Sequence, residues 1–264
     1  MKGCYVDTVK CAIITGAASQ GIGFAEARRF LEAGWNVVSI DKDEAKFSAR
    51  MGELPVELRE RMEYVRGDVS CEADCRRLVE AVCRKRGRID ALVNNAGIMG
   101  WLAPSLEVEF DEVRRVFETD VMGSLQMAVL AGRVMEEQGS GVIVNTGSIA
   151  GQLAGAGSLG YSMAKASIDM LTQFLAKDVA RHGVRVVSVN PGYVETDLTR
   201  RTLALPGMRE SAAQLHASKR IMQPDAVADV VYFLCTDAAR AINGTCVYAD
   251  DGYTAFKEGS RIIV

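Results

Sequence analysis

The stretch that decides the fold reads Thr15-Gly16-Ala17-Ala18-Ser19-Gln20-Gly21-Ile22-Gly23. An apolar run over Lys10–Thr15 precedes it, and a helical pattern over residues 21–33 follows it. A strand, a glycine-rich turn and a helix are therefore predicted in that order. Glycine lets the backbone approach a ligand closely, and the N-terminus of the helix supplies free N–H donors. This arrangement favours a turn that binds phosphate groups.

The rest of the chain continues the alternation of strand and helix. Further strands are predicted at Asn36–Ile40, Glu63–Arg66, Ile89–Asn94, Gly141–Thr146, Val184–Asn190 and Thr245–Ala249. Further helical segments are predicted near residues 71–86, 109–138, 161–182 and 225–235, and the segment 43–62 is expected to be helical in part because Pro55 interrupts it. Strands that alternate with helices predict a parallel sheet covered by helices on both faces.

Composition narrows the class of protein. The chain has 264 residues, of which 48 % are hydrophobic and five are proline, which favours one domain over residues 1–264. The net charge of −3 and the lack of a dense basic cluster argue against a nucleic-acid partner. Neither a signal peptide nor an apolar run of membrane-spanning length is visible, so we expect no membrane partner and a cytoplasmic protein.

The cysteines do not suggest a disulfide framework or a metal site. There are seven, at Cys4, Cys11, Cys71, Cys75, Cys83, Cys235 and Cys246. Their number is odd and none forms a C-x-x-C pair, so free thiols that are buried or partly buried are expected. No metal ligands are predicted.

A second motif points to proton transfer. Ser148 is followed by Tyr161 and then, four residues later, by Lys165. Residues at i and i+4 share one face of a helix. Tyrosine has a reference pKa of about 10, and a nearby ammonium favours the phenolate. Such a pair alone is usually an exposed helix face, but with a serine hydroxyl to hold a substrate oxygen it can move a proton on or off an alcohol.

Five matches in order resemble the short-chain dehydrogenase/reductase family over nearly the whole chain. They are Thr15–Gly23, Asp68-Val69, Asn94-Asn95-Ala96-Gly97, Ser148 with Tyr161 and Lys165, and Pro191-Gly192. The resemblance implies a single doubly wound (Rossmann-type) α/β domain with a seven-stranded, mainly parallel sheet and helices on both faces. It also implies an NAD(P)-dependent enzyme that interconverts a secondary alcohol and a ketone.

The resemblance assigns the catalytic residues. Tyr161 would be the general acid or base, Lys165 would lower its pKa and bind the nicotinamide ribose, and Ser148 would hydrogen-bond the reacting oxygen. Family members usually carry an asparagine on the long fourth helix that holds a water in a proton relay. The matching position here is Asp120. An aspartate can also bind water and pass protons, and the alternative that Asp120 takes no part in proton transfer stays open.

The expected cofactor is NAD rather than NADP. Asp41 ends the second strand, where a carboxylate can accept both ribose hydroxyls of NAD and repel a 2′-phosphate. Lys42 could instead pair with a phosphate, and Asp41 could merely start a turn. The resemblance places Asp68 on the adenine amino group and Thr196 on the nicotinamide carboxamide. The full predicted set is Gly16, Ser19, Gln20, Gly21, Ile22, Asp41, Asp68, Val69, Asn95, Ala96, Gly97, Tyr161, Lys165, Pro191, Gly192, Val194 and Thr196.

One detail departs from the family. Its members usually have three residues between the first two glycines of the turn, whereas four, Ala17 to Gln20, stand here. The path of this loop is therefore not predicted.

The substrate is expected to be a bulky, mostly apolar alcohol. The predicted pocket segments are Met99–Ala103, Gln152–Leu159, Tyr193 and a lid at about 195–223, and they carry few fixed charges. In this they resemble bacterial hydroxysteroid dehydrogenases of the family. The alternatives are a 3-oxoacyl thioester (acyl-carrier) reductase, which would prefer NADPH and a basic patch, and a catalytically weak member used for binding or regulation. Residues 198–222 of the lid are expected to be mobile without ligand and to close over substrate.

A homodimer or homotetramer is expected through the helices at 109–138 and 161–182, which related proteins pair across a two-fold axis. Both helices carry apolar residues beyond one stripe, namely Val113, Val116, Met127, Val129, Leu130, Ile168, Leu171 and Phe174.

Overall fold

Seven parallel strands form one sheet in the computed structural model, which describes residues 9–154 and 158–255. The strands are β1 (Cys11–Thr15), β2 (Asn36–Asp41), β3 (Met62–Arg66), β4 (Ala91–Asn94), β5 (Gly141–Thr146), β6 (Val184–Pro191) and β7 (Cys246–Ala249). Their order is β3-β2-β1-β4-β5-β6-β7. This is the predicted doubly wound sheet of a single domain, and the predicted strand ends are confirmed to within about two residues, the usual uncertainty of such boundaries.

Ten α-helices connect and flank the strands in the described part of the chain. They are α1 (Ile22–Glu32), α2 (Glu44–Met51), α3 (Val56–Arg59), α4 (Glu72–Arg86), α5 (Phe110–Val116), α6 (Gly123–Gln138), α7 (Leu159–Val179), α8 (Asp197–Leu203), α9 (Met208–Gln214) and α10 (Pro224–Leu234). Pro55 separates α2 from α3 and stands at the N-cap of α3, so the predicted interruption is confirmed.

Apolar side chains cover both faces of the sheet, as a parallel sheet requires. On one face α1 packs against α10, and Phe30 meets Trp35 and Tyr232 edge to face with ring centroids 5.1 and 5.3 Å apart. On the other face α4, α6 and α7 bury side chains such as Leu78 and Met127. The helices on both faces pack against the sheet, and the loops that build the site follow the carboxyl ends of its strands.

The long helix predicted at 109–138 is not one regular α-helix. A π-helical segment, Phe117–Met122, joins α5 to α6, and Thr119 and Asp120 within it are buried. A π turn holds one more residue per turn than an α-helix and so changes which side chains face inward, a feature common at functional sites. The spacing of apolar residues could not reveal this shift, because it lies in the backbone hydrogen bonds.

The predicted lid contains two short helices, α8 and α9. No helix of the described chain is both long and apolar enough to cross a membrane. The six cysteines in the described ranges form no disulfide bond, as expected, but Cys71 is exposed rather than buried because it stands at the N-cap of α4. Cys4, the N-terminal segment and residues 155–157 of the predicted pocket segment Gln152–Leu159 lie outside the described residues.

Candidate active site

A cavity of about 570 Å³ opens at the carboxyl edge of the sheet, beside the point between β1 and β4 where the strand order reverses. Ligands of open α/β sheets bind at such a point, and the volume is within the range of roughly 300–1,000 Å³ of ligand sites. Every residue predicted to contact the cofactor lines this cavity, and so does Ser148. Residues from opposite ends of the sequence therefore meet as expected.

The glycine-rich turn forms one wall of the cavity. Gly16 has a positive φ of 75°, and a Cβ atom there would lie 2.9 Å from the Cα of Ala96, so only glycine fits. Gly21 is the N-cap of α1, and no side chain of the described chain caps this end. The first turn of α1 can therefore offer its N–H groups to a phosphate.

Two carboxylates define the far end of the cavity. Asp41 accepts hydrogen bonds from the N–H of Ala18 (3.1 Å) and the N–H of Asp43 (3.1 Å), which fix its orientation. Asp68 accepts a hydrogen bond from Lys42 Nζ at 3.0 Å. Partial burial acts to raise the pKa of Asp68, but the bonds from Ser70 and Lys42 outweigh it and hold the pKa below its ordinary value. The charge of Lys42 is thus already engaged by Asp68.

Tyr161 and Lys165 are fixed by local contacts at the start of α7. Ser158 caps this helix by accepting the Tyr161 N–H at 3.2 Å, and its own hydroxyl donates to the Met99 carbonyl at 2.6 Å. Lys165 Nζ donates to the Thr146 carbonyl at 2.9 Å and lies 5.4 Å from the centre of the Tyr161 ring. Both side chains are buried at the cavity wall, so the predicted pair does not form an exposed helix face.

Ser148 stands at the end of the loop that follows β5. Its Oγ accepts a hydrogen bond from the Ala150 N–H at 3.1 Å, where a short 3₁₀ turn begins. This contact uses a lone pair and leaves the hydroxyl proton free to be donated. Ser148 can therefore offer a hydrogen bond to an oxygen held in the cavity.

Asp120 lies behind the cavity and does not appear in its described lining. It is fully buried, its Oδ1 accepts the Ile98 N–H at 2.8 Å, and its Oδ2 stands 3.3 Å from Lys165 Nζ. A Cβ atom on Gly97 would approach Oδ2 to 2.8 Å, so this glycine leaves room for the carboxylate. Asp120 therefore contacts the site through Lys165, and its part in a proton relay stays a prediction.

The buried pair shifts both pKa values upward. Burial raises the pKa of Asp120, and the opposing charge of Lys165 cancels only part of that effect. Burial acts to lower the pKa of Lys165, but the charge of Asp120 and the nearby Tyr161 outweigh it and leave the pKa above its ordinary value. Lys165 is thus kept as an ammonium beside the Tyr161 ring.

Comparison with known proteins agrees with this geometry. A family model described as enoyl-(acyl carrier protein) reductase matches residues 16–254. The cis-4-hydroxycyclohexanecarboxylate dehydrogenase of Sinomonas cyclohexanicum is 38 % identical over 247 residues, which cover 93 % of this chain and 97 % of that protein. The chain belongs to the short-chain dehydrogenase/reductase family. As a member it is an NAD(P)-dependent alcohol dehydrogenase or ketone reductase.

Two further relatives belong to the same comparison. The 3beta-hydroxysteroid dehydrogenase 2 of Eggerthella lenta is 33 % identical over 248 residues, which cover 93 % of this chain and 95 % of that protein. The crystal structure of a gluconate 5-dehydrogenase from Burkholderia cenocepacia, in complex with NADP and tartrate, has a TM-score of 0.87 and 29 % sequence identity, with 96 % of this chain and 97 % of that chain covered. This dehydrogenase/reductase chain therefore matches its relatives along almost their whole length.

The predicted substrate segments do not all meet at the main cavity of this short-chain dehydrogenase/reductase. Trp101, Leu102 and Ala103 line a separate cavity of about 230 Å³. Tyr193 is absent from the described lining of the main cavity, because its ring packs against His216 and Tyr253 with centroids 6.4 and 6.0 Å away. From the lid, Leu198 does line the main cavity.

The contacts of several residues were not predicted, although Ser158 lies in the predicted pocket segment and Asp197 in the predicted lid. Thr146 holds Lys165 through its backbone carbonyl, so its side chain gives no signal in the sequence. Ser158 could have been found, because a serine directly before a helical pattern is a typical N-cap. Asp197 lines the cavity and accepts the Gln20 N–H at 3.1 Å, a contact between residues far apart in the chain.

Proposed function

We propose that this chain is an NAD-dependent dehydrogenase that interconverts a bulky, mostly apolar secondary alcohol and its ketone. One observation carries the proposal: Tyr161 and Lys165 are buried at the wall of the same cavity that the glycine turn and Ser148 line. A phenol, a buried ammonium and a free hydroxyl proton at one wall are the groups that an alcohol oxygen requires.

The cavity fits a dinucleotide from end to end. Gly16 and the start of α1 form a cradle that a side chain would fill, which suits the pyrophosphate. Asp41 suits the adenosine ribose, Asp68 and Val69 suit the adenine, and Pro191, Val194 and Thr196 suit the nicotinamide end. When bound, NAD supplies the hydride acceptor for alcohol oxidation and NADH the hydride donor for ketone reduction.

The protein's own groups handle the proton. In the oxidation direction the Tyr161 phenolate takes the hydroxyl proton of the alcohol, and in reduction the phenol returns it to the ketone oxygen. Ser148 donates its free hydroxyl proton to the same oxygen and so fixes its position. Lys165 places its charge 5.4 Å from the centre of the Tyr161 ring, while the Thr146 carbonyl and Asp120 hold the ammonium in place. We propose that Asp120 acts as a positioning residue in this arrangement.

Two contacts support NAD over NADP. Two backbone N–H groups orient Asp41, so its carboxylate cannot easily turn away from a 2′-phosphate. Lys42 would have to leave Asp68 to reach that phosphate. The NADP in the gluconate 5-dehydrogenase complex belongs to a relative of the same fold, so preference must come from residues such as these.

Replacement of Asp41 by serine is expected to weaken the preference for NAD. Asp41→Ser removes the charge that repels a 2′-phosphate, so the ratio of kcat/KM for NAD to that for NADP should fall by about tenfold or more, as the loss of one close charge interaction implies. Glu44→Gln, which removes an exposed carboxylate nearby, serves as the control and should leave the ratio unchanged. A wild-type enzyme that prefers NADP would show that Lys42 outweighs Asp41.

The proposed substrate class is supported by apolar residues in the cavity lining and by the names of two relatives. Ile98 and Leu198, both apolar, line the main cavity, whereas Trp101 lines the separate, smaller one. The names of the Sinomonas and Eggerthella relatives both describe a hydroxyl on a carbocyclic ring. We therefore propose an alicyclic secondary alcohol, with hydroxysteroids as the leading candidates.

A substrate panel tests this proposal. Absorbance of NADH would be followed with hydroxysteroids, substituted cyclohexanols and short open-chain alcohols, and the reverse reaction would be followed with a 3-oxoacyl thioester and NADPH. Higher kcat/KM on the ring alcohols with NAD would support the proposal. Higher kcat/KM on the thioester with NADPH would replace it by the acyl-carrier reductase.

A further inference from the structure

Gln20, the last of the four residues between the first two glycines of the turn, contacts the substrate lid. Its carbonyl accepts the Asp197 N–H at 2.9 Å, and its N–H donates to Asp197 Oδ2 at 3.1 Å. These two bonds run in opposite directions between the same two residues. One bond therefore joins the main chain of the cofactor turn to the main chain at the start of α8. The other joins the main chain of the turn to the Asp197 carboxylate.

The side chains add a second tie. Arg200 Nη2 donates to Gln20 Oε1 at 3.2 Å and also lies 2.7 Å from Asp197 Oδ1. Since Arg200 stands one turn after Asp197 on α8, the guanidinium connects the turn, the carboxylate and the helix. We call Gln20, Asp197 and Arg200 the clasp.

The clasp lies between the two halves of the site. Gln20 and Asp197 line the main cavity together with Leu198, the next residue of α8. A Cβ atom on Gly21 would come within 3.3 Å of the Thr196 side chain, so the turn and the start of α8 are in close contact. A shift of Gln20 would therefore move Leu198, an apolar residue in the lining of the main cavity.

We propose that Gln20 is a positioning residue that couples the cofactor turn to the lid, so that cofactor binding at the turn stabilises α8 over the substrate. This inference rests on the proposed binding of NAD beside Gly16 and Gly21. The clasp thereby favours substrate binding after the cofactor has fixed the turn.

The first test is kinetic and uses Gln20→Ala, which keeps the main-chain bonds and removes the bond to Arg200. The KM for the alcohol should rise by about three- to tenfold while kcat changes less, since one hydrogen bond to a charged group is lost. The dissociation constant of NADH should rise as well, because coupling between two ligands is reciprocal. Arg200→Ala should give the same change, and the double variant should show no further increase. Arg201→Ala, the neighbouring arginine of α8, is the matched control and should behave as wild type.

The second test follows hydrogen exchange of residues 196–203 with and without NADH. In wild type NADH should slow exchange of this segment, and in Gln20→Ala that slowing should be smaller, because the bond to Arg200 is lost while the main-chain bonds remain. Deletion of Gln20 should have the stronger effect, and Gln20→Ala decides the question if the deleted chain does not fold. Equal slowing in wild type and Gln20→Ala, or additive effects on KM, would overturn the inference.

The two proposals fail in different ways. If NADH does not bind wild type, the proposed function is wrong, and the inference about cofactor coupling falls with it. If NADH binds and supports turnover but Gln20→Ala matches Arg201→Ala in KM and exchange, the inference alone is wrong.

Discussion

Asp120 occupies a position where family members usually have asparagine, and its surroundings explain how a carboxylate is tolerated there. The Ile98 N–H and the Lys165 ammonium both point to it, and Gly97 leaves the space it needs. A buried carboxylate without such partners would be strongly destabilising. The pair keeps Lys165 charged at the cavity wall.

Substitution of Asp120 should affect turnover more than cofactor binding. Asp120→Asn keeps an acceptor for the Ile98 N–H and should retain much of the activity. Asp120→Ala leaves that N–H without its acceptor and leaves the ammonium with the Thr146 carbonyl but no carboxylate, and kcat should fall by about tenfold or more. NADH binding measured by fluorescence would change less than kcat. Full activity of Asp120→Ala would show that the position is only structural.

The same substitution gives a pH signature. The charge of Asp120 helps to hold the pKa of Lys165 above its ordinary value. Asp120→Asn removes that charge, so the Lys165 pKa should fall and the alkaline limb of the kcat/KM profile should move to lower pH. An alkaline limb that stays in place would contradict a link between Asp120 and Lys165.

Individual residues could be predicted from the sequence where they belong to a family motif with fixed spacing. Ser148, Tyr161 and Lys165 were predicted to meet, and all three line one cavity. The pair of Lys42 with Asp68 was not predicted, because it depends on how two loops from neighbouring strands approach each other. From the sequence alone, Lys42 is equally suited to pair with a phosphate.

Among the elements, α1 carries an unexpected buried acid. Glu26 is fully buried, and neither of its carboxyl oxygens has a hydrogen-bond partner in the described chain. Burial raises its pKa from the ordinary value of 4.5 to about 8. The side chain is therefore neutral at physiological pH, as an unpaired acid inside an apolar layer must be.

Glu26 should make the protein less stable as the pH rises. Between pH 4.5 and about 8 the unfolded chain has lost the Glu26 proton while the folded chain keeps it, so the free energy of unfolding falls with each pH unit in this window and levels off above it. Glu26→Gln removes the titrating carboxyl group, so the free energy of unfolding of this variant should vary less with pH than that of wild type. Urea unfolding at several pH values measures this free energy. Glu32→Gln, which replaces an exposed acid on the same helix, is the control. Equal slopes for wild type and Glu26→Gln would contradict the prediction.

The strands and most helices were predictable because parallel strands are short apolar runs between turns. The π-helical segment at Phe117–Met122 was not, and neither was the clasp, whose residues 20 and 197 are 177 positions apart. Contacts of this kind depend on the tertiary arrangement, which local patterns do not encode.

The predicted mobility of residues 198–222 stays a prediction. His216 and Ser218 bond to Tyr193 and Asp251, so we expect the movement to centre on α8 and α9.

For the whole molecule, the structure corrects the predicted association surface. Val116, Met127 and Ile168 are buried within the chain itself and cannot contact a second copy. Phe174 is 60 % exposed, as a contact residue would need to be. Met163 and Met170 on the same helix are also exposed, although the sequence did not single them out. These three residues on α7 form the apolar face on which we base the proposed association.

A charge on this face should separate the subunits. Phe174→Glu places a carboxylate at the centre of the proposed contact and should convert a dimer or tetramer to smaller species. Light scattering at micromolar concentration measures the mass. Val56→Glu, on another exposed apolar residue of α3, should leave the mass unchanged. A monomeric wild type would contradict the prediction outright.

The central claim is that Tyr161 transfers the proton between protein and substrate. The most direct test compares wild type with Tyr161→Phe, which keeps the ring and removes only the phenolic hydroxyl, in NAD reduction by the best alcohol of the panel. Turnover should fall by about 100- to 10,000-fold, the range typical of a positioned acid–base group, while NADH binds almost as tightly as to wild type. A Tyr161→Phe enzyme with near-normal turnover would contradict the account.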